Sequence, residues 1–367
     1  MTSKVYFADI RARSNDQSKA EKVKRLFNKA GFGDLISEDD LTAIKVHFGE
    51  AGNDSHISPV FVSQIVDKIK EKAGKPFVSD TNTLYSGARH NSVDHLNVAN
   101  KHGFTYAVLN APVTIADGLM SQDIVDVEIQ QKQFDEVKIA SDFVSADGMI
   151  AMSHFKAHEL AGFGGAIKNL AMGCAPAAGK KEQHNVEFFA DDEDCIACGN
   201  CAEVCPEDAI TVEETAEINK ELCIGCGECM TVCPTDAIET DWSSEIKPFM
   251  ERMTEYAYGA VKNKADKMGY INFVLNITPD CDCVPWSDAP IVRDIGILAS
   301  KDPVAIDKAS YDLVNQQQGF ENSLLEDNFA AGEDKFKGLR KHTEGYIQIE
   351  YGAEIGLGND EYELIEL

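Results

Sequence analysis

The residues with the clearest chemistry are eight cysteines in two short runs. Each run has the form Cys-x-x-Cys-x-x-Cys-x-x-x-Cys-Pro, and the second run begins 28 residues after the first. Two residues between thiolates let a tight loop wrap an iron–sulfur cube, and the fourth cysteine of each run binds the other cube. The sequence therefore predicts two 4Fe-4S clusters, one held by Cys195, Cys198, Cys201 and Cys233 and the other by Cys223, Cys226, Cys229 and Cys205.

Other interpretations of these cysteines stay open. Paired Cys-x-x-Cys elements also bind zinc, but a third cysteine two residues further on and a fourth before proline, in both runs, favour the bacterial-ferredoxin pattern. Clusters of this kind can also be purely structural, although two adjacent clusters favour electron transfer. Eleven cysteines without an export signal argue against a disulfide-rich secreted protein.

Three further cysteines lie outside these runs. Cys281 and Cys283 follow a predicted strand, and their i, i+2 spacing puts both thiols on one side of an extended chain. With Cys174 they are candidates for a third metal or cluster site, for which His154 or His184 could supply a fourth ligand. Ordinary buried cysteines, or a reactive thiol pair, are the alternatives.

A dense group of charged residues precedes Cys174. His154 and His158 are four residues apart and would share one face of a helix, where they could bind a metal or a substrate anion. The glycine-rich segment 162–165 precedes a predicted helix, whose positive end could also bind an anion. We take His154, His158 and Lys168 as candidate catalytic residues, acting as proton donor or anion clamp.

Polar residues also follow the ends of two predicted strands near the amino terminus. Ligands collect at the carboxyl ends of strands in α/β folds, so these residues are expected on the same rim, although many such residues are only helix caps. They are Lys45, His47, Glu50, Asn53 and His56 after one strand, and Asp80, Asn82 and Tyr85 after the next.

Strand-like and helix-like segments alternate on both sides of the cysteine runs, which is typical of α/β folds. Strands are predicted at 5–10, 41–48, 77–79, 106–109, 271–277 and 295–299, with a strand pair or strand and turn at 142–152. Helices are predicted at 18–30, 59–74, 91–102, 166–172, 246–267 and 305–316.

The simplest layout is one α/β domain with a largely parallel sheet formed by both chain halves, interrupted by a small α+β ferredoxin-like insert. Residues 1–187 would form the first part of the domain and residues 188–242 the two-cluster insert. Residues 243–367 would form the second part, which ends in an acidic tail.

The composition excludes some partners. With 62 acidic and 34 basic residues the formal charge is -28, which argues against nucleic acid and against anionic membrane surfaces. Such a charge fits either simple solubility or a docking face for a basic redox partner. No run of about 18 apolar residues and no signal pattern is present, so a cytoplasmic location is expected.

Beyond the cysteine runs, several segments are similar to one known family. They are Ser153–His158 with Gly162–Asn169, Asp280–Cys283, and Ile295–Asp307. Together they make the chain resemble the iron–sulfur proteins grouped as domain of unknown function 362, which are common in anaerobic bacteria and archaea. The likeness spans most of residues 40–315 and implies the inserted layout and an anaerobic setting. It implies no particular reaction.

Two classes of function follow. In the first, the chain is a reductase in which electrons enter through two clusters and reach a small-molecule substrate, or a third metal, in the α/β cleft. In the second, it is a non-catalytic electron-transfer or metal-handling protein. A closed third site would favour the carrier, and an open metal position or a basic pocket would favour the enzyme. Both classes imply a redox partner protein.

Overall fold

A computed structural model describes residues 2–85, 87–184, 187–223, 228–235, 237–239 and 242–367. Strands in the first part of the chain are β1 (Ser3–Asp9), β2 (Leu41–Lys45), β3 (Lys75–Asp80), β4 (Val113–Ile115), β5 (Ile124–Glu128), β6 (Glu136–Ala140), β7 (Gly148–His154), β8 (Lys156–His158) and β9 (Gly162–Gly164). Helices there are α1 (Lys19–Lys29), α2 (Pro59–Glu71), α3 (Ser92–Lys101), α4 (Tyr106–Leu109), α5 (Ser141–Ser145), α6 (Ala166–Cys174) and α7 (Ala177–His184).

The rest of the chain adds shorter elements and then returns to the main sheet. The middle contains β10 (Phe189–Ala190), α8 (Asn200–Val204), β11 (Ile210–Val212), β12 (Ala216–Ile218), α9 (Glu228–Thr231) and β13 (Ile238–Glu239). After it come α10 (Trp242–Val261), β14 (Met268–Val274), β15 (Gly296–Ser300), α11 (Pro303–Asn315), α12 (Lys335–Leu339), α13 (Ile347–Glu354) and β16 (Tyr362–Glu366). Short 3-10 turns occupy Asn15–Gln17, Phe32–Leu35 and Lys262–Lys267.

Eight strands form the main sheet in the order β16-β1-β15-β14-β7-β2-β3-β4. Five of the seven neighbouring pairs are parallel, and β15 runs antiparallel to both β1 and β14. The sheet takes strands from both sides of the cysteine runs, because β7 pairs with β14. The predicted α/β class, with a largely parallel sheet formed by both chain halves, is confirmed.

Helices cover both faces of this sheet, and its central strands are buried on both sides. Along β7, Met149 and Ala151 belong to one hydrophobic core, while Ile150 and Met152 belong to the other. Helices α1 and α2 pack on the second face, and α6, α10 and α11 lie on the first. Successive side chains of a strand point to opposite faces, so a continuous apolar run is what such a strand requires.

Local capping explains why several helices begin where the sequence predicts. Ser58 caps α2 by accepting a hydrogen bond from the backbone N–H of Val60, and Pro59 occupies the first helical position. Asn91 caps α3 through the N–H groups of Val93 and Asp94. Side-chain acceptors at these positions satisfy backbone donors that have no partner within the helix.

Three predicted elements differ from the structure. The segment at 106–109 is a helical turn, ended by Asn110 with φ of 53°, because a four-residue apolar run carries too little periodicity to separate helix from strand. The predicted helix at 246–267 ends at Val261 and continues as a 3-10 turn with a non-helical Lys264. The segment at 142–152 contains a short helix before β7.

The cysteine segment, residues 188–242, is built from short elements. β10 pairs antiparallel with β13, which brings the two ends of the segment together, and β11 and β12 form a hairpin. Helices α8 and α9 begin at Asn200 and Glu228, the same position of each repeat. Nowhere in the described part of the chain does a helix have both the length and the apolar composition needed to cross a bilayer.

Candidate functional site

The cysteine segment encloses a small cavity between the two repeats. Four thiol-bearing residues line it, and they are the four that the spacing assigns to one cluster: Cys195, Cys198, Cys201 and Cys233. Three come from the first repeat and the last from the second. Small side chains, including Ala197 and Ala216, complete the wall and leave room between the thiols.

Backbone N–H groups donate to the thiols in the same way in both repeats. Ala209 N donates to Cys205 Sγ at 3.3 Å, and Ala237 N, 28 residues later, donates to Cys233 Sγ at 3.2 Å. Ala216 N donates to Cys195 Sγ at 3.4 Å. Donors of this kind stabilise negative charge on sulfur and tune the potential of iron–sulfur clusters.

The described cysteines fit the two predicted sets of cluster ligands. All ten described cysteines are free thiols. Cys226, predicted to bind the second cluster, lies outside the described residues, and its predicted companions Cys205, Cys223 and Cys229 are half-buried or buried. Four thiols around a cavity, with N–H donors directed at sulfur, suit an iron–sulfur cluster.

The second candidate region is a cleft at the carboxyl ends of β2, β3, β7 and β14, where parallel sheets place their ligands. His47 lies beyond β2, Asp80 ends β3, His154 ends β7, and Cys281 and Cys283 follow β14. The cleft encloses about 1040 Å³ of empty space, part of it open to solvent.

Asp282 anchors the loop that carries the two cleft thiols. Its carboxylate accepts hydrogen bonds from Ser55 Oγ at 2.8 Å and from His154 Nδ1 at 2.9 Å, and Lys156 Nζ lies 3.5 Å away. Burial alone would raise the pKa of Asp282, but His154 and Lys156 hold that pKa well below its ordinary value. Burial likewise opposes the Lys156 ammonium, yet Asp282 raises the pKa of Lys156.

His154 faces hydrogen-bond acceptors with both ring nitrogens. Nδ1 lies beside the Asp282 carboxylate, and Nε2 lies 2.9 Å from the backbone oxygens of Leu275 and Asn276. A ring nitrogen that donates a hydrogen bond has no lone pair for a metal. His154 therefore ties β7 to the loop after β14, and both of its polar atoms are occupied within the protein.

His158 differs from His154, because one of its ring nitrogens accepts hydrogen bonds. It lies on β8, whereas His154 ends β7, so the two do not share a helix face. His158 Nδ1 accepts hydrogen bonds from the backbone N–H groups of Leu160 and Ala161, both at 3.1 Å. Since Nδ1 must keep its lone pair, the proton of the neutral ring is on Nε2, which faces Glu159 Oε1 at 3.3 Å. The ring also lies beside the thiol of Cys281.

The two cleft thiols lie together beside basic groups. The Sγ atoms of Cys281 and Cys283 and a ring nitrogen of His158 lie within 4.8 Å of one another, and Lys168 Nζ is 3.8 Å from Cys281 Sγ. The hydrogen bond from Cys283, together with Lys168, Lys156 and His158, holds the pKa of Cys281 well below its ordinary value. The same hydrogen bond and burial raise the pKa of Cys283.

Cys174 is placed apart from that pair. It is fully buried at the end of α6 and does not line the cleft, and burial raises the pKa of its thiol to about 12. Within the described ranges, the group with metal-binding geometry joins His158, instead of Cys174, to Cys281 and Cys283. His184, the other candidate ligand, lines the cleft outside this group.

The start of helix α6 is already occupied by a carboxylate of the protein. Asp307 accepts hydrogen bonds from the N–H groups of Ala166 at 2.7 Å and Ile167 at 2.9 Å, and from Asn272 Nδ2. Burial raises the pKa of Asp307 to about 6. A Cβ on Gly165 would lie 2.3 Å from Asp307 Oδ1, so this glycine permits the close approach. The sequence predicts an anion at this helix end, and the structure places the carboxylate of Asp307 there.

Some of the polar residues predicted on the rim line the cleft, and the others contact residues around it. His47, Asp80 and Tyr85 line the cleft. Behind them, Lys45 pairs with Asp80 at 3.0 Å, and Glu50 pairs with the buried Arg89 at 2.9 Å. Asn53 bonds Ser55, His56 stacks on His102, and Asn82 bonds Asp117.

A model of one protein family matches most of the sequence. The family is described as Domain of unknown function (DUF362), and the match covers residues 42–312. The chain belongs to the DUF362 family. The matched range includes both the cysteine segment and the cleft, so both candidate regions lie within the DUF362 match. No curated protein matches this DUF362 chain.

Two solved structures are similar to the DUF362 chain at low identity. One is the lactate racemase apoprotein from Thermoanaerobacterium thermosaccharolyticum, with 14% identity and a TM-score of 0.40 over 75% of this chain and 51% of that one. The other is a structural genomics protein from Thermotoga maritima, with 10% identity and a TM-score of 0.36 over 78% and 57%. This chain spans just over half the length of each. Nothing about its reaction follows from either likeness.

Sequence reasoning missed three residues that organise the DUF362 cleft. Asp282 was visible only as the residue between two cysteines, and Asp307 lies 141 residues from the helix end that it caps. Arg89 is buried, and it joins Glu50 on one side to Tyr85 on the other. For Asp307 the available signal was a carboxylate directly after the apolar run Pro303–Ile306, but its partner is fixed only by the fold.

Proposed function

We propose that this chain is an iron–sulfur redox protein whose cysteine segment binds two 4Fe-4S clusters. Cys195, Cys198, Cys201 and Cys233 would hold one cluster, and Cys223, Cys226, Cys229 and Cys205 the other. When bound, such clusters supply one-electron transfer at low potential. The activity we infer is that of a reductase, whose substrate binds in the α/β cleft.

The observation that carries this proposal is the cavity lined by four thiols. Its walls bring Cys233 to three cysteines of the other repeat, as crossed ligation requires. The repeated N–H donors to Cys205 and Cys233 add support, because they occur at equivalent positions of the two repeats. Paired zinc sites would not need ligands exchanged between repeats.

The cleft suits a small anionic substrate. Four cationic side chains line it, against two carboxylates, in a chain that is strongly acidic elsewhere: Arg89, Lys156, Lys168 and Lys180 against Asp80 and Glu159. Arg89 and Lys156 pair with carboxylates of the protein, whereas Lys168 has no carboxylate within 4 Å among the described residues. Lys168 is therefore our candidate for binding the anion, and His158 lines the same cleft.

The charge of the cysteine segment suggests a partner. Residues 188–242 contain 15 acidic residues and one lysine, so half of the chain's net charge lies in this short stretch. Cys198 and Ile196 are exposed beside the candidate cluster cavity. We infer that a basic redox protein docks here, because opposite charge accelerates association and places it near the thiols.

Anaerobic iron and sulfide determination with EPR spectroscopy tests the cluster proposal. The intact chain should contain about eight iron and eight sulfide per molecule, as two 4Fe-4S clusters require. Cys233→Ser should lose roughly half of this iron and one of two EPR signals, since the cluster loses one ligand. Cys174→Ser, which removes a buried thiol outside the segment, should keep both.

Zinc at these positions, or full iron retention in Cys233→Ser, would refute the assignment. The carrier alternative has a separate signature. If both clusters form but no small anion binds the cleft or is reduced, and Lys168→Met changes nothing, electron transfer without catalysis is the better description.

A further inference from the structure

The cleft holds a thiol pair whose environment is built from distant parts of the chain. Cys281 and Cys283 come from the loop after β14, His158 from β8 and Lys168 from α6. The two Sγ atoms and the His158 nitrogen lie within 4.8 Å, and Lys168 Nζ is 3.8 Å from Cys281 Sγ. Both cysteines line the cleft, where Cys281 is buried and Cys283 is half-buried.

Hydrogen bonds hold the backbone of this loop at Asp282 and Cys283. Glu50 N donates to Asp282 O at 2.9 Å, and Tyr85 Oη donates to Cys283 O at 3.0 Å. The Asp282 side chain points away from the thiols to His154 and Ser55. Rotation about the side-chain bonds alone can then change the distance between the sulfurs.

The protonation of His158 distinguishes a thiol site from a metal site. A histidine that binds a metal through Nε2 normally donates its Nδ1 proton to an acceptor. Here two backbone N–H groups point at Nδ1, which leaves the proton on Nε2. A protonated Nε2 offers a metal no lone pair, whereas the His158 ring, which lies beside both thiols, stabilises a thiolate by hydrogen bonding.

We propose that Cys281 and Cys283 form a reversible dithiol–disulfide pair, in which Cys281 is the attacking thiolate and His158 and Lys168 stabilise it. The inference goes beyond the proposed function, because it requires neither cluster. It takes a small disulfide as its oxidising partner. Lys168 suits a disulfide that carries carboxylates, and it also stabilises the thiolate that leaves.

The thiol–disulfide exchange takes two steps. The Cys281 thiolate attacks one sulfur of the small disulfide, so the external S–S bond breaks and one thiolate leaves. Cys283 then loses its proton and attacks Cys281 Sγ, which releases the second thiol. Two electrons pass from the cysteine pair to the disulfide, and the Cys283 proton ends on one of the two products.

The test uses the full chain under anaerobic conditions with defined ratios of reduced glutathione to glutathione disulfide. After acid quenching, free thiols are alkylated and peptides are analysed by mass spectrometry. Cys281 and Cys283 should lose alkylation together, appear as one linked peptide that is 2 Da lighter, and recover with excess reductant. Equal alkylation at every ratio, or a lone glutathione adduct without the link, overturns the proposal.

The stabilising groups are tested by the alkylation rate of Cys281 in the native chain at neutral pH. His158→Gln and Lys168→Met should each slow it about tenfold, because the thiolate fraction falls. Lys29→Met, which changes an exposed lysine far from the cleft, should not slow it. Unchanged rates in the first two variants refute their role. The wild-type redox titration decides on the pair itself if a variant fails to fold.

Metal and iron content are measured on the same samples. Protection of both thiols that a chelator removes would show a bound metal and overturn the proposal. A normal iron content without disulfide formation contradicts only the thiol pair. Disulfide formation in a chain that binds no iron contradicts only the proposed function.

Discussion

The cysteine segment and the cleft assemble their chemistry in different ways. In the segment, the candidate ligands lie within residues 195–233, and most charges are exposed. In the cleft, the polar residues come from strand ends, loops and helices spread over more than 200 residues, and several of their charges are buried in pairs. Spacing along the chain therefore suffices to group the thiols of the first region, whereas the second region depends on how the sheet brings its strand ends together.

Removing Asp282 should produce the largest effect on stability. Asp282→Ala leaves the buried Lys156 ammonium and His154 without their shared acceptor, so we expect the free energy of unfolding to fall by about 3–5 kcal/mol. Urea unfolding under anaerobic conditions measures this. Glu71→Ala, which removes the exposed carboxylate that pairs with Lys68, is the control and should change it by less than about 1 kcal/mol. Similar losses in both variants would contradict the contrast between buried and exposed charges.

A methyl group at Gly165 should have the next largest effect. Gly165→Ala places a Cβ 2.3 Å from Asp307 Oδ1, and the displaced carboxylate would release the N–H groups that start α6. We expect a loss of about 1–3 kcal/mol, read from the shift in thermal unfolding. Gly87→Ala meets only ordinary contacts at 3.5 Å and serves as the control. An unchanged midpoint for Gly165→Ala would indicate that Asp307 does not depend on this close approach.

Asp307 should make the stability of the α/β domain depend on pH. Its pKa is raised by burial from 3.8 to about 6, so between these values the folded state binds more protons than the unfolded state. Stability from this group is present at low pH and is lost as pH rises towards 7. Relative to Asp307→Asn, the wild type should lose about 1–2 kcal/mol between pH 4.5 and 7. Parallel stability curves for the two proteins would contradict the raised pKa.

The smallest effect is expected in the cysteine segment. Lys220 Nζ lies 2.6 Å from Glu187 Oε2, but both side chains are more than 60% exposed. Lys220→Ala should change the free energy of unfolding by less than about 0.5 kcal/mol, and added salt should remove even that difference. Chemical unfolding at two salt concentrations checks it. A fall in the free energy of unfolding of more than about 1 kcal/mol would show that exposed charges in this segment stabilise the fold.

The sequence was sufficient wherever the signal was local. The caps Ser58 and Asn91, the parallel strands and the repeat of the cysteine runs all depend on residues close together in the chain. The helical turn at 106–109 was predicted as a strand because it is too short to carry a period. Whether the eight cysteines bind iron stays a prediction.

The cleft was predictable only in outline. Polar residues at strand ends indicated the rim, because parallel strands share one carboxyl edge. The sequence predicted Cys174 beside the thiol pair, but His158 lies there. This position could not be predicted, since it depends on the path of the chain after β7. The internal cap by Asp307 was equally hidden, because Asp307 and α6 meet only through the packing of α11 on β14.

The position of β1 in the sheet has a consequence for synthesis on the ribosome. Its two neighbours, β15 and β16, lie about 290 and 360 residues further along the chain. At roughly 5–20 residues per second, β1 therefore waits about 15–60 s for its first partner. All eight cysteines of the two runs are translated within that interval. The eight thiols therefore leave the ribosome before the sheet can close, while β1 still lacks both of its neighbours.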